Sequence, residues 1–247
     1  MVVLDFLKKT LKWIVVAFFA STILSVIIYR FVPVFVTPLM VIRVIEQIGD
    51  GKEIKMKHSW TSIDHMSKYM PVAVIASEDA NFLEHHGFDF EAIEKAAKRN
   101  MDHPEKRKLG ASTISQQTAK NVFLWPGRSW VRKGFEAYFT TLIELLWSKQ
   151  RIMEVYLNSI ETGDGIYGVE AVAKAHFNCK ASELTRSQCA LIAVTLPNPR
   201  KFSSKNPSAY ILKRQARIER EMRYVPLFPK AGEDVKKNEG DNIKKKK

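Results

Sequence analysis

A chain of 247 residues, 46% hydrophobic and 26% charged, has room for a sizeable core and is not a disordered polymer. Lysine and arginine number 39 against 26 acids, a formal net charge of +13, which suits an anionic partner: nucleic acid, a membrane surface or a phosphorylated substrate. Two cysteines, Cys179 and Cys189, exclude a disulfide scaffold, and no CxxC or His pair stands near them to build a zinc site.

From Trp13 to Tyr29 runs an uncharged stretch rich in Val, Ile, Phe, Leu and Ala. At about 1.5 Å per helical residue it reaches the thickness of a hydrocarbon core, with Trp13, Tyr29 and Arg30 suited to the interfaces. A buried core helix and a cleaved signal peptide are the rivals; no small-x-small cleavage site follows the run. Lys8, Lys9 and Lys12 precede it, so the positive-inside rule leaves a short N-terminus, 1–12, in the cytoplasm and the rest outside. The expectation is a single-span anchor over 13–30 whose only role is to concentrate the protein at a membrane.

Residues 31–59 read as a connector. Pro33 and Pro38 break its apolar part, and Gly49–Lys57 is polar. A globular region follows over 60–224, with helical periodicity nearly throughout. Asp89 is expected to cap a helix to about Asn100. Thr113 with Gln116 reads as a capping box opening a helix to about Phe123, and Ser129 caps a long helix to about Trp147. Further helices are expected at 150–158, 168–177, 183–196 and 207–223. Alternating strands are scarce, so the domain should be mainly α. The tail 225–247 is lysine-rich, poor in apolar residues, and expected to lack structure.

Singly, the chemistry-bearing residues say little. Glu78-Asp79 fits a solvated helix end. His85-His86-Gly87 lacks a third ligand at metal spacing and fits a turn. Gly110-Ala-Ser112-Thr113 fits an anion cradle or a plain helix start. Lys120, Arg128, Arg132 and Lys133 fit a solvated basic face or a diphosphate clamp.

Order and spacing change this. Glu78-Asp79-x-x-Phe82-x-x-His85-x-Gly87 resembles the first signature of the peptidoglycan glycosyltransferase family. Gly110-x-Ser112-Thr113-x-x-Gln116-Gln117 resembles its second, Arg132-Lys133-x-x-Glu136 its third, and Lys149-x-x-Ile152-Met153-Glu154-x-Tyr156-Leu157-Asn158 its fourth. Gly168–Phe177 is similar to the fifth, with His176 where the family has Tyr and Asn178-Cys179 before Lys180. Neither Ser-x-x-Lys nor Lys-Thr-Gly, the acyl-transfer signatures of bifunctional penicillin-binding proteins, occurs. The resemblance is therefore to the monofunctional branch, which Pro197-Asn198-Pro199-Arg200 also matches.

The resemblance implies a lysozyme-like helical domain with a smaller membrane-proximal lobe. It implies polymerisation of lipid II: the 4-hydroxyl of an incoming lipid II attacks a growing lipid-linked glycan and displaces undecaprenyl pyrophosphate with inversion. Such attack needs a positioned base and stabilisation of the leaving group. By match, Glu78 is the base and Glu136 the second carboxylate, orienting cations or a divalent metal. Asp79 supports Glu78; Lys120 and Arg128, then Arg132 and Lys133, face the diphosphate; Ser112, Thr113, Gln116 and Gln117 shape the donor site. The sequence offers no protein metal site, and a divalent cation (Mg or Mn) near the diphosphate is the one expected cofactor. The expected setting is the inner membrane, alongside cell wall synthesis or divisome proteins. Two rivals stand: a glycan hydrolase, which has no diphosphate to hold, and a basic membrane-anchored nucleic-acid-binding protein, for which no aromatic-basic recognition motif is present.

Overall fold

The computed structural model describes residues 2–106, 108–127 and 129–229. The expectations for Arg128 and for the tail beyond 229 lie outside the described residues. Among these, ten α-helices and one small sheet are present, so the chain is mainly α.

The apolar N-terminal run forms α1 (Val2–Phe31), a helix longer than the expected span. Its residues Val3–Phe31 are long and apolar enough to cross a membrane. The connector contains a helix that its prolines had hidden, α2 (Pro38–Gly49). Thr37 caps it, and Pro38 occupies the first turn, where a missing N–H costs nothing.

Two helices make the centre of the domain. In α3 (Tyr69–Glu78) six consecutive residues from Met70 to Ile75 are buried, and in α9 (Arg186–Thr195) so are all seven from Cys189 to Thr195. A helix covered on every side belongs to a core. Helix α10 (Ala209–Glu221) packs on both, and a second group forms where α5 (Ile114–Phe123) packs on α6 (Trp130–Leu146) and α7 (Lys149–Ser159). The expected caps are in place: Asp89 on α4 (Phe90–Asp102), the Thr113–Gln116 capping box on α5, and Ser129 on α6.

The sheet has strand order β1-β3-β2: β1 (Lys57–His58) runs parallel to β3 (Ile166–Tyr167), which pairs antiparallel with β2 (Glu161–Gly163). Gly165 turns β2 into β3 at φ +69°, and a Cβ there would lie 2.3 Å from the Lys55 carbonyl. The expected helix 168–177 is instead a short α8 (Val169–Val172) that widens into a π turn over Ala173–Phe177 and closes at Asn178 in the left-handed region, φ 52°. Asparagine tolerates that conformation, which explains its presence there. His176 in the same turn has Nδ1 2.7 Å from Ser204 Oγ.

Two further expectations need correction. The packed chain continues past residue 224: Val225 and Phe228 lie against the core, and the Phe228 ring stacks on Phe82. Nor is α1 a simple tether. Val26 is fully buried in the domain core, Trp147 Nε1 donates to the Val26 carbonyl at 2.8 Å, and the Thr22 and Tyr138 hydroxyls meet at 2.8 Å. Phe18 and Phe19 pack against Phe135 and Tyr138 of α6. The apolar face of α6 needs cover, and α1 supplies it. Cys179 and Cys189 are both free thiols.

Candidate active site

Glu78 is the last residue of α3 and Asp79 its C-cap, so a core helix holds both carboxylates at its C-terminal end. They are not a solvated turn. Asp79 is buried and fully engaged: one oxygen accepts from the Ile114 N–H at the start of α5 (2.9 Å), and both lie within 3.0 Å of His85 Nε2. His85 Nδ1 accepts from the Gly87 N–H (3.1 Å), which puts the imidazole proton on Nε2, facing Asp79. Gly87 has φ +92°, and a Cβ there would come within 2.8 Å of Thr140. The His85-His86-Gly87 segment is thus a brace for Asp79.

Glu78 has a different shell. Its Oε1 accepts from the Ser77 hydroxyl at 3.2 Å and its Oε2 from the Gln117 amide at 3.1 Å. The Tyr156 hydroxyl donates to Gln117 Oε1 (3.3 Å), so the amide nitrogen is the end turned to Glu78. Burial pushes the Glu78 carboxyl above its ordinary value, against those two hydrogen bonds and the more distant charges of Arg214 and Lys120.

The third cluster is on α6. Arg132 Nη1 donates to Glu136 Oε2 at 2.8 Å, and Lys133 Nζ bonds the other oxygen. Glu136 is 3% exposed, and the Nε of Arg132 is buried without a partner. Lys120, one turn from the end of α5, lies within electrostatic reach of both Glu78 and Glu136 and forms no hydrogen bond or ion pair among the described residues. Burial pushes its ammonium below the ordinary value, with Glu136 opposing the shift.

Gln117, Lys120 and Arg132 line one cavity of about 340 Å³, together with Leu196, Pro197 and Pro199. Two further lining residues were invisible to sequence reasoning, Arg43 from α2 and Glu161 from β2. Arg43 Nε stands 3.7 Å from Glu161 Oε2, while that Nε and Glu161 Oε1 have no hydrogen-bond partner. Burial raises the Glu161 carboxyl. A lone acid in an otherwise uncharged run, Ser159–Gly163, was the available signal for Glu161; Arg43 sat in a stretch read only as connector.

The expected donor-site residues divide. Gln117 lines the cavity. Thr113 and Gln116 are buried and spent on the capping box, with the Thr113 hydroxyl also donating to the Gly87 carbonyl at 2.7 Å. They act on the site by fixing where α5 starts. Ser112 is exposed on the preceding loop. The residues present do not fit a protein-held divalent cation: both oxygens of Glu136 are taken by cations, and among the described residues no three His, Cys, Asp or Glu side chains cluster.

A base candidate beside a cavity walled by cations is what transfer of a sugar from a phosphate leaving group requires. The transglycosylase family model matches residues 43–223. The chain belongs to the transglycosylase family. It is 60% identical to a biosynthetic peptidoglycan transglycosylase of Bacteroides thetaiotaomicron, with 98% of each chain covered. Likeness extends to proteins of the same description in Bdellovibrio bacteriovorus (53%, over 90% of this chain and 88% of that one) and Caulobacter vibrioides (51%, 86% and 91%). The family match begins at Arg43, so the α2 residue in the cavity falls within it. The helical domain is accordingly of the lysozyme-like type.

Proposed function

We propose that this transglycosylase polymerises lipid II into linear glycan strands for the cell wall. The carrying observation is the pairing of Glu78, held by neutral donors only, with a cavity where Lys120, Arg132 and Arg43 converge. A sugar hydroxyl is a poor nucleophile at neutral pH. Glu78 takes the proton of the acceptor 4-hydroxyl as that oxygen bonds to the donor's anomeric carbon. The bond from that carbon to the diphosphate oxygen breaks, and the diphosphate departs with the electron pair, with inversion. Lys120 and Arg132 meet the charge that develops on it, and Arg43 adds a third cation from α2. Burial strips Lys120 of part of its charge stabilisation, and an arriving diphosphate restores it. By resemblance, Arg128 joins this group. Glu136 holds Arg132 and Lys133 in position. No step is assigned to a protein-held metal; a divalent cation would enter on the diphosphate itself.

The apolar helix and the lysines before it support placement in the inner membrane with the catalytic domain on the extracytoplasmic side. Substrate and growing glycan, each on a polyprenyl tail, then share one bilayer with the enzyme. The test is incubation of the full-length protein with lipid II, and separately with purified sacculi. Lengthening glycan with intact sacculi is expected; shortened sacculi without polymer would point to a hydrolase instead.

A further inference from the structure

We infer that Arg151 is a positioning residue that locks the catalytic domain onto the outer end of the membrane span, fixing the height and tilt of the cleft over the bilayer. A helix end leaves its last carbonyls without partners in the helix, and at the edge of a hydrocarbon core water does not readily supply them. At the end of α1, Arg151 of α7 supplies them. Its Nε and Nη2 donate to the Tyr29 carbonyl at 3.0 and 2.8 Å, and Nη2 also donates to the Val32 carbonyl at 2.6 Å. The third nitrogen, Nη1, bonds Glu154 Oε2 at 2.5 Å, and Glu154 Oε1 accepts from the Ile63 N–H at 3.1 Å. The guanidinium lies over the Trp60 ring, 5.2 Å from its centroid. Every nitrogen of Arg151 is engaged, so it has none left for substrate, and its charge sits where a helix C-terminus favours a cation.

The clamp is one of three. Thr22 meets Tyr138, Val26 meets Trp147 and Tyr29 meets Arg151. Positions 22, 26 and 29 lie at i, i+4 and i+7, a single stripe about 10 Å long on α1. A tether that only concentrated the enzyme would not need a polar stripe matched to the domain. Resting on the lipid II reading above, the purpose follows from the substrates: their diphosphates lie at one depth, the head-group plane, and Lys120 and Arg132 must meet them there. Small errors of placement are expensive in catalysis, since a shift of about 1 Å can cost on the order of 10²-fold.

The test compares full-length wild type, Arg151→Ala, Arg151→Lys and Trp147→Phe on lipid II in liposomes and in detergent micelles, where no fixed plane exists. Arg151→Ala should lose about tenfold in liposomes while staying within about twofold of wild type in micelles. Lysine, able to reach one carbonyl, should recover part of the ratio, and Trp147→Phe should show a smaller loss in the same direction. Thermal unfolding checks each variant; should Arg151→Ala fail to fold, the ratio is read on the other two. Equal losses in both settings, or none in either, would overturn the positioning role. An inactive wild type would instead sink the lipid II reading, which keeps the two failures apart.

Discussion

Glu78 and Glu136 are both carboxylates brought by helices to within reach of Lys120, yet their surroundings are opposites. Glu78 ends a helix that is apolar on every side, and the groups touching it, Ser77 and Gln117, are neutral. Glu136 carries a cation on each oxygen. Neutral donors orient a carboxylate and leave it able to accept a proton, and burial strengthens it as a base. Direct cations instead occupy both oxygens of Glu136 and are themselves held in place. These surroundings match the roles proposed above, Glu78 to move a proton and Glu136 to arrange positive charge. On the proposed reading, two acids near one cavity take two roles from environment alone.

The sharpest way to break this contrast is to remove each negative charge while keeping its shape. Glu78→Gln retains the hydrogen-bonding reach but cannot take the hydroxyl proton, so polymerisation should fall by about 10²–10⁴-fold in a folded protein. Initial rates on lipid II beside circular dichroism decide it; a folded variant within a few-fold of wild type would remove Glu78 as base. Glu136→Gln should fail differently. It leaves Arg132 buried beside a neutral amide, and loss of one partner from a buried ion pair costs about 3 kcal/mol. Its signature is a lowered melting temperature along with reduced activity, whereas Glu78→Gln should show only the second at neutral pH.

The cationic side sharpens the comparison at a smaller scale. Lys120→Ala removes a charge from the developing diphosphate and should cost about 10²–10³-fold in turnover, the size seen when one stabilising donor is lost. Arg132→Lys keeps the charge but not the fork that reaches Glu136 while turning another edge to the cavity, so it should fall between wild type and Lys120→Ala. Full activity in both variants would leave the cavity without its assigned ligand. Gln117→Ala should move the acid limb of the kcat/KM profile to higher pH. Its hydrogen bond lowers the Glu78 carboxyl, so removing it lets burial raise that group further. An unmoved limb would mean that another group titrates there.

The local punctuation of this fold is legible in the chain. Thr113-x-x-Gln116, Asp89 and Ser129 start their helices as their side chains dictate, and the apolar run forms its long helix. Long-range consequences are not. Nothing adjacent to Asp79 says that His85 and the first N–H of α5 fold back onto it, so the acidic pair looks like a solvated end until both are in place. Arg43 reaches the cavity because Pro38 begins a helix where a break was expected. The stripe on α1 that meets α6 and α7 is made of Thr22, a backbone carbonyl and another backbone carbonyl, and carbonyls carry no sequence signal.

The smallest effect isolates what burial does to Glu78. Its folded carboxyl titrates above the ordinary 4.5, so the native state holds that proton more tightly than the unfolded chain does. Stability contributed by the protonated form is then present below about pH 4.5 and is lost as pH rises through the folded value. Acting as the proposed base, Glu78 is ionised, and the wild type then carries a buried carboxylate as a standing cost. Glu78→Gln removes the titration and with it the cost, so the variant should melt slightly above wild type at pH 7, and the gap should close as pH falls toward 4.5. The pH dependence of the difference is the decisive quantity, because any change in the hydrogen bonds from Ser77 and Gln117 is carried at both pH values. Glu136→Gln should show the reverse sign at neutral pH, since its carboxylate is paired. A Glu78→Gln variant that melts below wild type at pH 7, by a margin that narrows toward acid, would mean that the ionised carboxylate stabilises the fold, and the separation of roles between the two acids would lose its physical basis.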